Sequence, residues 1–162
     1  MILESIGKNT LKTPPREIRL PTVQRTARVP HTAAQMFDLV NDIESYPRFL
    51  HWCRGAHIDS RQRNVVEATL DIGIVGFHQS FRTRNTLTQP ERIQLELVSG
   101  PFRRLRGEWR FKDLDGGGSD VSLSLVFEVT ASPFGALFSK VFEELAGSQM
   151  TAFIDRAKKV YG

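Results

Sequence analysis

The feature that most constrains the fold is a change in hydrophobic period along the chain. Between residues 66 and 129, five segments alternate apolar with polar side chains, which is typical of strands that bury one face. After residue 132 the period changes to three and four, the spacing of a helix with one buried stripe. Short connections predict antiparallel pairing, with a hairpin turn at residues 115–119. The alternating segments are residues 66–72, 77–84, 93–97, 105–112 and 121–129.

The segment before these strands predicts two further strands and two short helices. Residues 22–29 suit a first strand, and Thr32 is a candidate N-cap for the helix that follows. A second short helix fits residues 42–50, although Pro47 interrupts it because proline lacks the backbone donor. Another strand is expected to start at Trp52.

The last segment predicts one long helix, with Ser132 as its N-cap and Pro133 at the first helical position. Its apolar stripe runs from Phe134 to Val160. About 27 residues at about 1.5 Å each give a length on the order of 40 Å, enough to cross the inner face of the sheet. The predicted fold class is therefore α+β, a curved antiparallel seven-stranded sheet wrapped around a long C-terminal helix. Inner faces this rich in aromatic residues can enclose a cavity.

The bulk composition predicts one globular domain in the cytoplasm. The 162 residues are 40% hydrophobic, and no apolar run approaches the roughly 20 residues that span a bilayer. One cysteine excludes an internal disulfide, which fits a reducing compartment, and the N-terminus has no apolar signal core. Residues 1–21 carry three prolines and little periodicity, so we expect a mobile N-terminal extension before a folded domain at residues 22–162.

The only cysteine raises the question of a reaction centre. On a strand, His51, Cys53 and His57 would point to one side, and both zinc sites and thiolate nucleophiles use Cys and His. A structural zinc site usually needs four ligands, however, and a Cys–His catalyst needs an orienting third group, which the sequence does not supply. We therefore interpret this segment as architecture. Gly116–Gly118 lies in a hairpin rather than before a helix, so it is no phosphate loop. We expect a protein without catalytic residues, a metal or a cofactor.

The inner aromatic side chains suggest a ligand cavity, although each of them could equally belong to an ordinary core. Gln79 and Thr83 share the predicted inner face with Phe77 and Phe81, and a buried amide needs a hydrogen-bond partner. Gly147 interrupts the helical stripe and permits the close approach of another group. The predicted ligand-binding residues are Phe37, Tyr46, Phe77, Gln79, Phe81, Trp109, Phe127, Phe138, Phe142 and Met150.

A basic segment is the third signal. The net charge of the chain is +4, and residues 101–112 carry five cationic side chains against Glu108 alone. A solvated sheet face would explain the pattern, as would contact with RNA phosphates or with an anionic membrane surface. No DNA partner is expected. The predicted surface for an anionic partner consists of Arg82, Arg84, Arg104, Arg106, Arg110 and Lys112.

Four stretches in the right order carry a resemblance to a known family. They read LVNDIESYPRFLHWCRG, SFRTRN, SGPFRRLRGEWRF and VFEELAGSQMTAFIDRAKKVYG. They resemble the ubiquinone-binding-protein family of the START-like superfamily (polyketide cyclase/dehydrase and lipid transport), which includes the ribosome association toxin RatA. The family often has proline where this chain has His51, a departure that concerns only the backbone before Trp52.

The resemblance implies a helix-grip fold and a non-enzymatic role. Its members look like carriers or chaperones of ubiquinone or a similar prenylated lipid, bound between the helix and the sheet, that support respiration. The alternative that it implies is a toxin that binds the large ribosomal subunit and inhibits translation initiation. Peripheral contact with the inner membrane is a further expectation.

Overall fold

The computed structural model describes residues 20–162, which form a seven-stranded antiparallel sheet and a long helix packed against it. The strands follow the order β1-β7-β6-β5-β4-β3-β2, so β2 to β7 form a meander and β1 crosses to pair with β7. The predicted two-layer α+β class and the seven strands are therefore confirmed. Of the proposed N-terminal extension, residues 1–19 lie outside the described residues. The strands are Thr22–Val29 (β1), Cys53–Gln62 (β2), Val65–Ile74 (β3), Phe77–Thr88 (β4), Arg92–Ser99 (β5), Phe102–Asp113 (β6) and Ser119–Val129 (β7).

The first helix, α1 (Ala33–Asn41), begins at a capping box. The Thr32 side chain accepts a hydrogen bond from the backbone of Gln35 at 3.1 Å, and the Gln35 side chain accepts one from the backbone of Thr32 at 2.9 Å. This reciprocal pair satisfies two of the donors that a helix start leaves free. The backbone N–H of Ala33 also donates to the carboxylate of Asp113, at 2.8 Å. Because Asp113 ends β6, the start of α1 is tied to the sheet.

A 3₁₀ helix (Ile43–Arg48) follows α1 and contains Pro47, as the sequence predicted. Tyr46 and the adjacent Phe49 each place a ring edge-on to Phe153 of the C-terminal helix, with ring centroids 5.3 and 5.2 Å apart. Edge-to-face geometry is favourable for aromatic rings. This segment therefore closes one end of the space between the sheet and the long helix.

The long helix, α2 (Gly135–Tyr161), has 27 residues. The prediction for its start was wrong, because Ser132 and Pro133 belong to a turn in which the Ser132 carbonyl accepts from the Gly135 N–H at 2.9 Å. Phe134 is the N-cap and has no side-chain hydrogen bond; its ring is exposed rather than part of the buried stripe. Among residues 20–162, no helix is long and apolar enough to cross a membrane. The buried face of α2 carries Phe138, Phe142, Ala146, Met150, Phe153 and Ala157.

Gly147 makes room for a neighbouring strand and not for a ligand. A Cβ atom at this position would lie 2.7 Å from the Arg25 guanidinium, which reaches over α2 from β1. The expectation of a close approach at this glycine is therefore correct, but the approaching group is a side chain of the protein itself.

Candidate functional site: a cavity between the sheet and α2

The two layers enclose a cavity that neither layer fills. The volume in which the centre of a water-sized sphere can lie is about 70 Å³. One water molecule needs about 10–15 Å³ on this measure, so the cavity holds roughly five to seven such groups, about the size of one ring. Its walls consist of Val40, Asn41, Ile43, Tyr46, Trp52, Ala68, Leu70, Ile72, Phe81, Thr83, Asn85, Ile93, Leu95, Leu105, Trp109, Leu125, Phe142, Leu145, Ala146 and Gln149.

The cavity wall contains no carboxylate, lysine, arginine, histidine or cysteine. Tyr46 is the one ionisable residue in it, and the Tyr46 hydroxyl donates to the backbone carbonyl of Val40. Burial raises the pKa of this hydroxyl far above its usual range, so it stays protonated. The described wall residues therefore offer a ligand apolar surface and neutral hydrogen-bonding groups.

Two aromatic clusters flank the cavity. The first is a phenylalanine cluster, in which the ring centroid of Phe102 lies 4.8 Å from that of Phe142 and 5.7 Å from that of Phe81. Phe81 and Phe142 of this cluster line the cavity. A second cluster, around Phe153, supplies the walls Tyr46 and Trp109. Such rings bury large apolar areas and keep defined positions through edge-to-face contacts. The phenylalanine cluster consists of Phe77, Phe81, Phe102, Phe127, Phe138 and Phe142.

A polar belt interrupts the apolar wall. The hydroxyl of Thr83 donates to Asn85 Oδ1 at 2.9 Å, and both side chains are buried. Asn41 Oδ1 and Trp52 Nε1 are also buried, and neither has a hydrogen-bond partner within residues 20–162. Gln149 adds a further amide from α2. Buried polar atoms almost always have partners, so the belt can orient a polar head.

The structure brings four of the predicted ligand-binding residues to the cavity: Tyr46, Phe81, Trp109 and Phe142. Phe77, Phe127 and Phe138 lie in the phenylalanine cluster beside it. Phe37 packs edge-on to Phe111, and both Phe37 and Met150 are buried outside the cavity wall. Their roles in binding stay predictions.

The expectation that Gln79 is a buried amide was wrong. Gln79 is exposed, although its register partner Ile72 is fully buried. The reason is that β5 ends at Ser99, opposite Arg82, so the first residues of β4 have a strand neighbour on one side only. On β4 the amide that lines the cavity is that of Asn85 instead, six residues further along the strand.

The candidate reaction centre at Cys53 does not assemble. Cys53 is buried, whereas His51 and His57 are exposed. A register shift between Cys53 and Gly55 breaks the alternation that would have aligned the three. Burial raises the pKa of the Cys53 thiol to about 11, which disfavours the nucleophilic thiolate. In the part of the chain that the structure describes, no group of three His, Cys, Asp or Glu residues could hold a metal ion.

The outer face of the sheet mixes cations with carboxylates. Arg82 and Arg84 both pair with Glu67, and their hydrogen bonds lower the pKa of that carboxyl. Arg110 pairs with Glu108, and Arg104 lies 3.9 Å from Glu128. The predicted basic surface is thus partly neutralised by its neighbours.

Two members of the predicted basic surface keep their charge unpaired. Arg106 and Lys112 are exposed on β6 and have no ion-pair partner within residues 20–162. The paired arginines must first give up an ion pair before they contact an anionic partner, although exposed ion pairs are weak. Arg106 and Lys112 can contact an anion without breaking one.

The sheet wrapped on a long helix and the cavity between them define the class: a helix-grip, START-like domain. The family model described as polyketide cyclase / dehydrase and lipid transport matches residues 29–154, and the chain belongs to this family. A START superfamily protein from Mycobacterium smegmatis has the same fold, with a TM-score of 0.72 at 21% identity, covering 86% of this chain and 98% of that one. The predicted family and fold are therefore confirmed.

Two curated relatives show what similar chains are named for. The ribosome association toxin RatA of Escherichia coli K12 is 41% identical over 145 residues, which are 90% of this chain and 92% of that protein. The mitochondrial coenzyme Q-binding protein COQ10 homolog B of Xenopus laevis is 25% identical over 132 residues, which are 79% of this chain and 54% of that protein.

The amide and indole groups of the belt were missed in the sequence. Asn85 could have been predicted from the alternating pattern, because it continues the inward-facing positions of Phe81 and Thr83 on β4. Asn41 and Trp52 carry no such signal, since Asn41 is the last residue of α1 and Trp52 directly precedes β2, where side-chain direction depends on the adjoining turn.

Proposed function

We propose that the protein is a non-enzymatic binding protein for ubiquinone or a similar prenylated lipid, a carrier or chaperone that supports respiration. The observation that carries this proposal is the apolar cavity with its polar belt and without a charged wall residue. The name of the coenzyme Q-binding relative supports the choice of a quinone. The family name also covers cyclases and dehydrases, but a wall without an acid or base favours binding over reaction.

The size of the cavity predicts how such a ligand would sit. The roughly 70 Å³ open to sphere centres matches the six ring carbons of a quinone, so the oxygen and methyl substituents of a ubiquinone head need the wall side chains to move outward. Burying about 100 Å² of apolar ring contributes about 2.5 kcal/mol. A prenyl tail does not fit beside it. The tail would therefore leave past Phe77 and Phe138, which stack 5.4 Å apart between the start of β4 and the start of α2.

Mass spectrometry of the organic extract of the purified protein tests this proposal. We expect a prenylated quinone or similar lipid from the wild type and none from Phe142→Asp, because a charge in an apolar wall opposes both the ring and the tail. Ser148→Asp is the matched control, since it adds the same charge at an exposed position of the same helix. A wild-type protein that yields no hydrophobic ligand and does not bind added ubiquinone would overturn the proposal.

A second candidate function is ribosome association, with the large ribosomal subunit as the partner and inhibition of translation initiation as the result. It is supported by the 41% identity to a protein named a ribosome association toxin, which this chain covers almost completely. The unpaired Arg106 and Lys112 on the outer sheet face are the side chains that we assign to phosphate contacts. The cavity and this face point in opposite directions, so one chain could carry both functions.

Salt dependence of large-subunit binding tests the second candidate. Each phosphate contact contributes about −0.7 to −0.9 to the slope of log affinity against log salt, so Arg106→Glu with Lys112→Glu should flatten it by roughly 1.5. Reversal of the exposed Lys158 and Lys159 on α2 is the control. Anionic vesicles serve as a parallel target, because preference for them would indicate a peripheral membrane contact instead. Absence of large-subunit binding at low salt would contradict this candidate.

A further inference from the structure

The polar belt contains a hydrogen-bond donor that the described chain cannot satisfy. Trp52 lines the cavity, the residue is 4% exposed, and its buried indole N–H has no partner within residues 20–162. The backbone carbonyl of Trp52 accepts from the Gly73 N–H at 2.9 Å, which fixes this residue beside the end of β3. An indole nitrogen can only donate, so the missing partner must be an acceptor.

A second donor lies on the sheet side of the same cavity. Asn85 Oδ1 accepts from Thr83, so its amide N–H groups remain for another acceptor. Asn41 Oδ1, by contrast, is a buried acceptor without a partner within residues 20–162, and it would take a hydrogen bond from water or from a ligand hydroxyl. The cavity therefore offers donors from two elements, Trp52 before β2 and Asn85 on β4.

Water molecules can occupy such a cavity and satisfy its polar groups. A ligand that enters must compete with that water, and this competition determines which ring chemistry binds. A ligand that displaces water gains affinity only if it replaces the hydrogen bonds that the water made. A hydrocarbon ring would leave Trp52 Nε1 and Asn85 Nδ2 without acceptors. A ring with a carbonyl or ether oxygen would satisfy them.

We propose that the cavity selects an oxygen-bearing ring head, which accepts hydrogen bonds from Trp52 Nε1 and the Asn85 amide, over a hydrocarbon ring of the same size. This inference rests on the proposed lipid-binding function and specifies the chemistry of its head. It assigns Trp52 and Asn85 as the residues that determine specificity, with the apolar wall providing affinity for either ring.

Binding of two probes of similar ring size to the full chain tests the inference: ubiquinone-2, and geranyl-pentamethylbenzene, which carries the same tail on a fully substituted ring without oxygen. We expect wild-type protein to prefer ubiquinone-2 by tenfold or more. Trp52→Phe removes the N–H and keeps an aromatic ring, so the preference for ubiquinone-2 over the hydrocarbon probe should fall about fivefold or more.

A second variant addresses the sheet side of the belt. Thr83→Val with Asn85→Leu replaces both partners of one hydrogen bond by apolar groups of similar shape and should also reduce the preference. Thr86→Val, next along β4 and outside the cavity wall, is the control. The inference is overturned if wild type binds both probes equally, or if Trp52→Phe loses both probes to the same extent. If wild type binds neither probe, the proposed function fails as well.

Discussion

At the scale of single residues, two glycines with crowded surroundings should respond to alanine in opposite ways. At Gly147 the added methyl meets only the tip of the flexible Arg25 side chain, and alanine is the better helix former. We expect Gly147→Ala to raise the free energy of unfolding by about 0.5–1 kcal/mol.

Gly107 on β6 is the matched contrast. There the methyl would lie 2.9 Å from the backbone oxygen of Ser124 and 2.6 Å from Leu125 Cδ1, and backbone cannot move aside cheaply. Gly107→Ala should lower the free energy of unfolding by about 1–3 kcal/mol. Urea denaturation measures both variants, and equal effects would contradict the assignment of Arg25 over α2.

The Cys53 thiol provides a pH test of its packing. Its folded-state pKa of about 11 lies above the ordinary 9.0, so the thiol form stabilises the fold below about pH 9, and this contribution is lost as the pH rises towards 11. Alkylation followed by mass spectrometry should therefore accelerate only above about pH 10. Cys53→Ser should remove the alkaline loss of stability and leave ligand binding unchanged. A reaction midpoint near pH 8.5 would show an exposed thiol.

At the scale of secondary-structure elements, the sequence predicted what depends on periodicity and missed what depends on a turn. Period-two alternation identified the strands because each buries one face only, and β6 and β7 follow it closely. The start of α2 was missed because Ser132 and Pro133 suit a cap and a turn equally well, and tertiary packing selects the turn. For the same reason Trp109 and Phe142 were predictable cavity residues, whereas the direction of Trp52 was not.

The tip of the β3–β4 hairpin and the start of α2 form an exposed apolar edge beside the phenylalanine cluster. Val75 and Phe134 are exposed, and the stacking of Phe77 on Phe138 brings their two elements together. Under the proposed lipid-binding function, a prenyl tail that leaves here would make this edge the route of ligand exchange with a bilayer.

Val75→Asp with Phe134→Asp should therefore slow ubiquinone uptake from anionic vesicles several-fold. The stability should change little, because exposed side chains contribute little to folding. Val160→Asp, at the other end of α2, is the control. Quinone absorbance measures the uptake rate, and a double variant that takes up ubiquinone as fast as the wild type would contradict this path.

At the scale of the whole molecule, the two candidate functions use opposite faces of one sheet. Phe142→Asp should abolish ligand binding and leave large-subunit binding intact, whereas Arg106→Glu with Lys112→Glu should do the reverse. Distant sites without shared partners usually act independently. Parallel measurement of both activities on each variant tests this separation, and loss of both activities in either variant would indicate that ligand binding and ribosome association are coupled.

The pairing of β1 with β7 has a consequence for how the chain reaches its native state. β1 pairs only with β7, the last strand, and Val23 lies opposite Leu125. This pair cannot form until all the strands between them have been synthesised. Pairings this distant in sequence slow folding, because the chain loses entropy in closing the loop before the contact repays it. During synthesis the meander from β2 to β6 can form early, but β1 stays an open edge until β7 leaves the ribosome. The complete sheet and its packing against α2 therefore form only after β7 and α2 have been translated.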